Sequence, residues 1–398
     1  MKLSKDLNRL GTETAFAVSK EAKTMSEKGH KIYPFHLGDI NIKTPESIRE
    51  ATLKYMNDDK NGYCPSEGVT ELREVLAHDI GIKRRINYEI ENVVIQPGGK
   101  PTIWKFLASV MNKGDEVLFP NPGYPIYESQ IRYQGGVPVP YGYIETHSGF
   151  KIDIDKLITS ITPNTTALIY NNYQNPLSAS SSKEEIELIA KLCIENDLWV
   201  LSDDAYYEIR YSDTPPLSIV NIPGMKDRTV ILYTFSKRFA MTGWRIGASI
   251  GPSRIIKQIT RLNINDESCT NHFIQCALAD SLGDIDTEAK DILSTLKERR
   301  DLSVEYLNSM QGISLSSPDS TFYLYVNVSN VMSDKGYDDI EKFRIDVLRS
   351  TGVSFCTRNH FGTPEENENK NYIRLAYSGI NKNDIKEGMT KFKNWIEN

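Results

Sequence analysis

The chain has 398 residues, 39% hydrophobic and 25% charged, with a formal net charge of −6. That length supports a large core and two domains, and the acidic balance excludes the basic stripe of a nucleic-acid binder. No apolar run approaches a membrane span, and the start Met1-Lys2-Leu3-Ser4-Lys5-Asp6 lacks the apolar centre of a secretory signal.

Taken in chain order, short apolar runs alternate with amphipathic stretches from about residue 90 to 250. Val93-Val94-Ile95 precedes Gly98-Gly99 and a helical run through Trp104, Leu107, Ala108 and Met111. Glu116-Val117-Leu118-Phe119 ends at Pro120, and Ala167-Leu168-Ile169-Tyr170 precedes an Asn/Pro segment. A stretch from Lys183 sets Ile186, Ile189, Leu192 and Cys193 on one helical face. Trp199-Val200-Leu201 runs into Ser202-Asp203, and Val230 to Tyr233 and Ala248 to Ile250 complete the series. This alternation predicts a mainly parallel α/β sheet covered on both faces. The polar motifs follow the apolar runs, at the carboxyl ends of strands where open α/β sheets bind ligands.

Beyond residue 290 the character changes. Leu296 to Leu302 reads as a long charged helix, and Phe322 to Val326 and Tyr372 to Ala376 read as strands. The expected division is a large domain over residues 46–290 and a smaller α+β domain built from 1–45 and 291–398. Five cysteines (64, 193, 269, 276, 356) form no C-x-x-C pair, which predicts reduced thiols and a cytoplasmic location. The six histidines show no metal-ligand spacing, so no metal is expected.

The most informative segment is Thr234-Phe235-Ser236-Lys237, followed by Gly243-Trp244-Arg245-Ile246-Gly247. A lysine condenses with a carbonyl to a Schiff base, while serine and arginine bind phosphate by charge-assisted hydrogen bonds. Glycines at 243 and 247 permit close backbone approach to a ligand. Pyridoxal 5'-phosphate carries both an aldehyde and a phosphate. Its ring nitrogen acts as an electron sink only when protonated, which requires a carboxylate partner; Asp203 is the candidate. Gly98-Gly99-Lys100 opens a helix whose first amides can cradle a phosphate.

With these motifs in this order, and with Ala240-Met241-Thr242-Gly243-Trp244-Arg245-Ile246-Gly247 as its most specific run, the chain resembles the fold-type I, class I/II aminotransferases of the aspartate aminotransferase superfamily. The similarity runs from about Leu10 to the C-terminus and is greatest to the bacterial and archaeal aspartate-aminotransferase-like subgroup. The resemblance implies a large domain with a seven-stranded-type sheet, a smaller α+β domain and a homodimer. It implies transfer of an amino group from an L-amino acid to a 2-oxo acid through a Lys237 Schiff base, with Lys237 also moving the proton. Asp203 would pair with the ring nitrogen, and Tyr206 and Asn175 with the phenolic oxygen. Tyr124 would stack on the ring, and Gly99, Lys100, Ser236 and Arg245 would hold the phosphate. Tyr63 would reach the phosphate of the neighbouring subunit. Arg374 would bind the substrate α-carboxylate, with Gly38, Tyr124 and Asn175 beside it.

Three loops depart from the family pattern. The usual Asn-Pro-x-Asn-Pro-Thr-Gly is Asn172-Tyr173-Gln174-Asn175-Pro176-Leu177-Ser178, and the usual Gly-x-Pro-Asp is Gly38-Asp39-Ile40-Asn41. The common Pro-Gly before Phe-Gly is replaced in Thr357-Arg358-Asn359-His360-Phe361-Gly362. Because these loops shape the substrate pocket in the family, a lyase, cyclase or oxidase acting on a specialised amino acid is the alternative reading. Arg358 and His360 are expected in a solvated loop. In the subgroup the chain resembles, a lysine at the position of Lys100 contacts the distal carboxylate of the substrate, which implies aspartate or glutamate. The aromatics Tyr33, Phe35, Tyr63, Tyr124 and Tyr127 would suit a larger side chain.

Overall fold

The computed structural model describes residues 1–11, 15–283, 285–366 and 368–398. Its centre is a seven-stranded sheet in the order Val93–Gln96, Gly247–Ile250, Thr229–Thr234, Trp199–Asp203, Thr165–Tyr170, Glu116–Pro120, Val137–Tyr141. Gly247–Ile250 runs antiparallel to both neighbours, and every other pairing is parallel. All six residues of Thr229–Thr234 are buried, as a near-continuous apolar run requires when helices cover both sheet faces. The helix Lys183–Glu195 begins at a capping box, in which the Ser182 side chain accepts from the Glu185 amide and Glu185 from that of Ser182.

Sequence pattern placed the central strands to within a few residues but missed the edge strand Val137–Tyr141 and the hairpin Tyr143–Thr146/Gly149–Ile152. Two prolines in Val137-Pro138-Val139-Pro140-Tyr141 mask the strand signal. An edge position tolerates them because one side of the strand has no ladder to donate to.

A second sheet joins Tyr323–Asn327, Tyr372–Ala376 and Cys356–Thr357, all antiparallel. Arg374 lies in register with both Tyr325 and Cys356, so it occupies the central strand. The long charged helix is Asp286–Asn308. The N-terminal segment packs here too, Tyr33–Pro34 pairing in parallel with Val353–Ser354. Tyr33 and Phe35, both 0% exposed, are therefore core residues of this unit and do not face the ligand cavity. The expected aromatic neighbourhood reduces to Tyr124 and Tyr127, because pairing of the N-terminal segment turns Tyr33 and Phe35 into the apolar interior and Tyr63 lies exposed on the surface. Among the described residues no helix is long and apolar enough to cross a membrane.

Candidate functional site

Five strand ends of the large sheet point the same way, and each delivers part of one cavity. After Val93–Gln96 the chain turns through Gly98 (φ +100°) into the helix Lys100–Val110. Glu116–Pro120 leads to Tyr124, Thr165–Tyr170 to Asn171 and Asn175, Trp199–Asp203 to Tyr206, and Thr229–Thr234 to Ser236 and Lys237. The antiparallel Gly247–Ile250 brings Arg245 to the same end from the opposite direction. The cavity, about 600 Å³, also takes in Gly38 and Arg374. Every site residue expected from sequence lines it except Tyr63, which is 89% exposed on its own chain.

At the floor, Asp203 Oδ2 accepts from the Tyr127 hydroxyl at 2.5 Å and Oδ1 from the Ala205 amide at 3.2 Å. Burial pushes this carboxyl up to about 6, opposed by the Tyr127 and Ala205 hydrogen bonds and by the Lys237 charge. A buried carboxylate held by neutral donors and facing a cavity is suited to a cationic ring nitrogen. The Asn171 amide donates to the Asp203 carbonyl at 2.8 Å and its oxygen accepts from the Asn175 amide at 3.2 Å, locking two strand ends together. Tyr127 was expected only as a pocket aromatic and its bond to Asp203 was not foreseen, whereas Asn171 was missed and carries no sequence signal of its own.

Lys237 sits in the one-turn helix Phe235–Arg238, whose N-cap Thr234 Oγ1 accepts from the Ser236 amide at 3.2 Å. Its Nζ donates to the Gly38 carbonyl at 2.9 Å and lies 5.5 Å from the centre of the Phe322 ring. Thr234 Oγ1 also donates to Ser236 Oγ at 2.9 Å, which aligns two hydroxyls at this end. Arg245 takes a left-handed conformation (φ 55°) and anchors Nη1 on the Thr242 carbonyl at 2.8 Å. A Cβ on Gly98 would stand 2.2 Å from Arg245 Nη2, and one on Gly247 2.6 Å from the Tyr233 carbonyl. These two glycines let the guanidinium and two backbones converge beside the amino end of Lys100–Val110, a combination that suits a phosphate.

Arg374, 4% exposed, is clasped between the rings of Tyr323 (4.4 Å) and Phe361 (4.7 Å). Its Nη2 donates to the His36 carbonyl at 2.6 Å and Nη1 to Asn175 Oδ1 at 3.2 Å, while its buried Nε–H has no hydrogen-bond partner. An incompletely satisfied buried guanidinium aimed at a cavity fits a carboxylate. Tyr323, also missed from sequence, shares a 2.6 Å hydrogen bond with the Tyr206 hydroxyl. A Cβ on Gly38 would meet the Tyr323 hydroxyl at 2.2 Å, so glycine is required there. Lys100 is exposed at the mouth, its Nζ 5.6 Å from the Tyr124 ring centre.

The 356–362 loop corrects the sequence expectation. Arg358 and His360 are 4% and 7% exposed, not solvated. Arg358 is consumed in structure, pairing with Glu368 at 2.6 Å and donating to Asn121 Oδ1 at 2.9 Å, whereas His360 lines the cavity. The short Cys356–Thr357 strand draws the loop under the Arg374 strand, which sequence pattern could not show. Among the described residues no group of three or more His, Cys, Asp or Glu could hold a metal.

A model of the family described as aminotransferase class I and II matches residues 32–392. The chain is 28% identical to the aspartate aminotransferase of Bacillus subtilis (strain 168), with 100% of this chain and 99% of that protein covered. It is 28% identical to the probable aspartate/prephenate aminotransferase of Aquifex aeolicus (strain VF5), covering 99% and 98% of the two chains. The crystal structure of an aromatic aminotransferase from Pyrococcus horikoshii OT3 superposes with a TM-score of 0.85 at 28% identity, over 91% of this chain and 94% of that one. The chain therefore belongs to the class I and II aminotransferases, fold-type I enzymes that depend on pyridoxal phosphate.

Proposed function

We propose that this aminotransferase holds its cofactor through Lys237 and exchanges amino groups between an acidic L-amino acid and a 2-oxo acid. The observation that supports this most is the convergence of the Lys237 amine, the Asp203 carboxylate and the Arg374 guanidinium on one cavity with Ser236 and Arg245 at its phosphate-like end. When bound, pyridoxal phosphate supplies an electron-withdrawing ring and a carrier for the amino group. Asp203 would keep the ring nitrogen protonated, and Tyr206 and Asn175 would bind the phenolic oxygen. Tyr124 would cover one ring face. Ser236, Arg245 and the amides of Gly99 and Lys100 would hold the phosphate. The Lys237 amine would move the proton at the substrate α-carbon. Arg374 would take the α-carboxylate with Gly38 and Asn175, and Lys100 at the mouth would meet a distal carboxylate. The aspartate named for two of the relatives agrees with Lys100, while the aromatic aminotransferase shows that the fold alone does not set the side chain.

Tyr63 would reach a site only in a second copy, so we propose a homodimer with shared phosphate sites. Exposed Leu53 (62%) and Met56 (47%) on the helix Glu46–Asn57 support a covered face. A cytoplasmic location and the domain division at residues 45 and 290 complete the reading.

Single-turnover mixing with glutamate or aspartate tests the reaction. One equivalent of 2-oxo acid per site, without ammonia, is expected; release of ammonia would establish the lyase alternative. A second expectation concerns the phosphate end. Gly98→Ala forces a β-carbon into a left-handed backbone and onto Arg245, so cofactor affinity should fall about tenfold or more with about 1 kcal/mol or more of lost stability. A cofactor titration followed by absorbance checks it; unchanged affinity would remove Arg245 from the phosphate site.

A further inference from the structure

The His360 imidazole has its tautomer dictated by the backbone. The Thr357 amide, which can only donate, points at Nδ1 from 3.1 Å, and the Thr357 hydroxyl lies 2.9 Å from the same nitrogen. Nδ1 must therefore accept, and the single ring proton resides on Nε2. Burial first, then the charges of Arg344 and Arg374, hold the ring below its ordinary range, with Glu341 and the Thr357 backbone acting against them. The Thr357 hydroxyl donates its one proton to Glu341 on the helix Ile340–Thr351, which fixes the Thr357 residue whose amide is the donor to Nδ1. The outcome is a neutral N–H donor on a residue that lines the cavity, next to Phe361, whose ring covers Arg374.

An α-carboxylate offers about four acceptor positions on its two oxygens. In the proposed function, on which this inference rests, Arg374 fills two of them and the Gly38 amide and the Asn175 side chain fill the others. The His360 donor is then surplus to α-carboxylate recognition. We infer that His360 Nε2–H is a specificity-determining donor that reads an oxygen acceptor on the substrate side chain. The favoured substrates are L-amino acids whose side chain ends in a carboxylate or carboxamide, over those of equal length ending in a methyl group. A buried donor left unpaired by an apolar side chain penalises that substrate, which makes the residue a filter as well as an attraction.

The test compares kcat/KM for glutamate against norvaline and for aspartate against 2-aminobutyrate, in the wild-type holoenzyme and in His360→Ala, His360→Leu and His360→Gln. The wild type should favour the oxygen-bearing member of each pair. His360→Ala and His360→Leu should shrink that preference about ten- to a hundredfold, and His360→Gln, which restores an N–H donor, should recover most of it. His360→Leu retains bulk in the wall, so a folding defect of the alanine variant does not decide the outcome. A wild-type enzyme without the preference, or a preference unchanged in both apolar variants, would overturn the inference. Equal losses on both members of a pair would also overturn it, by assigning His360 to the α-carboxylate or to loop structure. Covalent cofactor attachment at Lys237, trapped by borohydride and located by mass, separates this failure from failure of the underlying reading: attachment intact with no preference sinks only the His360 role.

Discussion

Lys237→Ala should lower turnover at least about 10⁴-fold and abolish borohydride-trapped attachment of the cofactor, with little change in thermal stability. The amine has two tasks in sequence, covalent attachment and movement of the α-proton, and among the described residues no other amine is placed to take over. The nearest alternative, Lys100, is exposed at the mouth with its Nζ over the Tyr124 ring, whereas Lys237 Nζ reaches across to the Gly38 carbonyl. Stability changes little because Lys237 is only half-buried, its charge is the weakest of the influences on Asp203, and the Gly38 carbonyl can be met by water. Retention of both the trapped adduct and substantial turnover in the variant would refute the assignment of this lysine.

The second large effect sets function against stability at Asp203. Asp203→Asn should reduce kcat/KM about 10²- to 10⁴-fold, the cost of about 3–5 kcal/mol expected when one partner of a buried charge pair is removed. In the cofactor-free protein the same substitution should be stabilising at neutral pH. The folded state raises this carboxyl to about 6 against an ordinary value of about 3.9, so ionised Asp203 destabilises the fold by about 3 kcal/mol. The native state binds the extra proton, hence its stability increases as pH falls from about 6 to about 4, where the penalty is relieved. Asparagine retains an oxygen for the Tyr127 hydroxyl at no charge cost. Thermal midpoints of cofactor-free wild type and Asp203→Asn should differ by several degrees at pH 7.5 and converge near pH 4. A variant less stable than wild type at pH 7.5 would show that the carboxylate is not penalised by its burial.

Much of this arrangement is legible in the linear chain because a parallel α/β sheet gathers the residues just beyond its buried strands at one edge. Asp203 ends Trp199–Asp203, and Ser236 and Lys237 come directly after Thr229–Thr234; their convergence needs only parallel pairing of those two strands. Arg374 could be marked from the motif order but not from any strand-end rule, since it lies mid-strand in the second sheet. Tyr323 and Asn171 carry no local signal: one acts through Tyr206 and Arg374, the other through the carbonyl of Asp203. The 358–360 loop departs from expectation because polar residues between strands ordinarily face water. In this chain the Glu368 and Glu341 side chains pair with Arg358 and Thr357 and allow the loop to be buried.

The amino-acid sequence by itself determined the fold class and the cofactor, and it marked Asp203, Lys237 and Arg374 as candidate site residues. Those depend on local periodicity and on residue types that few other chemistries need. Only the tertiary structure decided which aromatics line the cavity and which are core, that Arg358 is structural, and that His360 is a buried residue of the cavity wall. The first rests on contacts between segments hundreds of residues apart, such as Tyr33 with Val353, and the others on local contacts, Arg358 with Glu368 and His360 with Thr357, that form only where the loop is buried. Burial and hydrogen-bond direction arise only when those segments meet, so no local pattern encodes them.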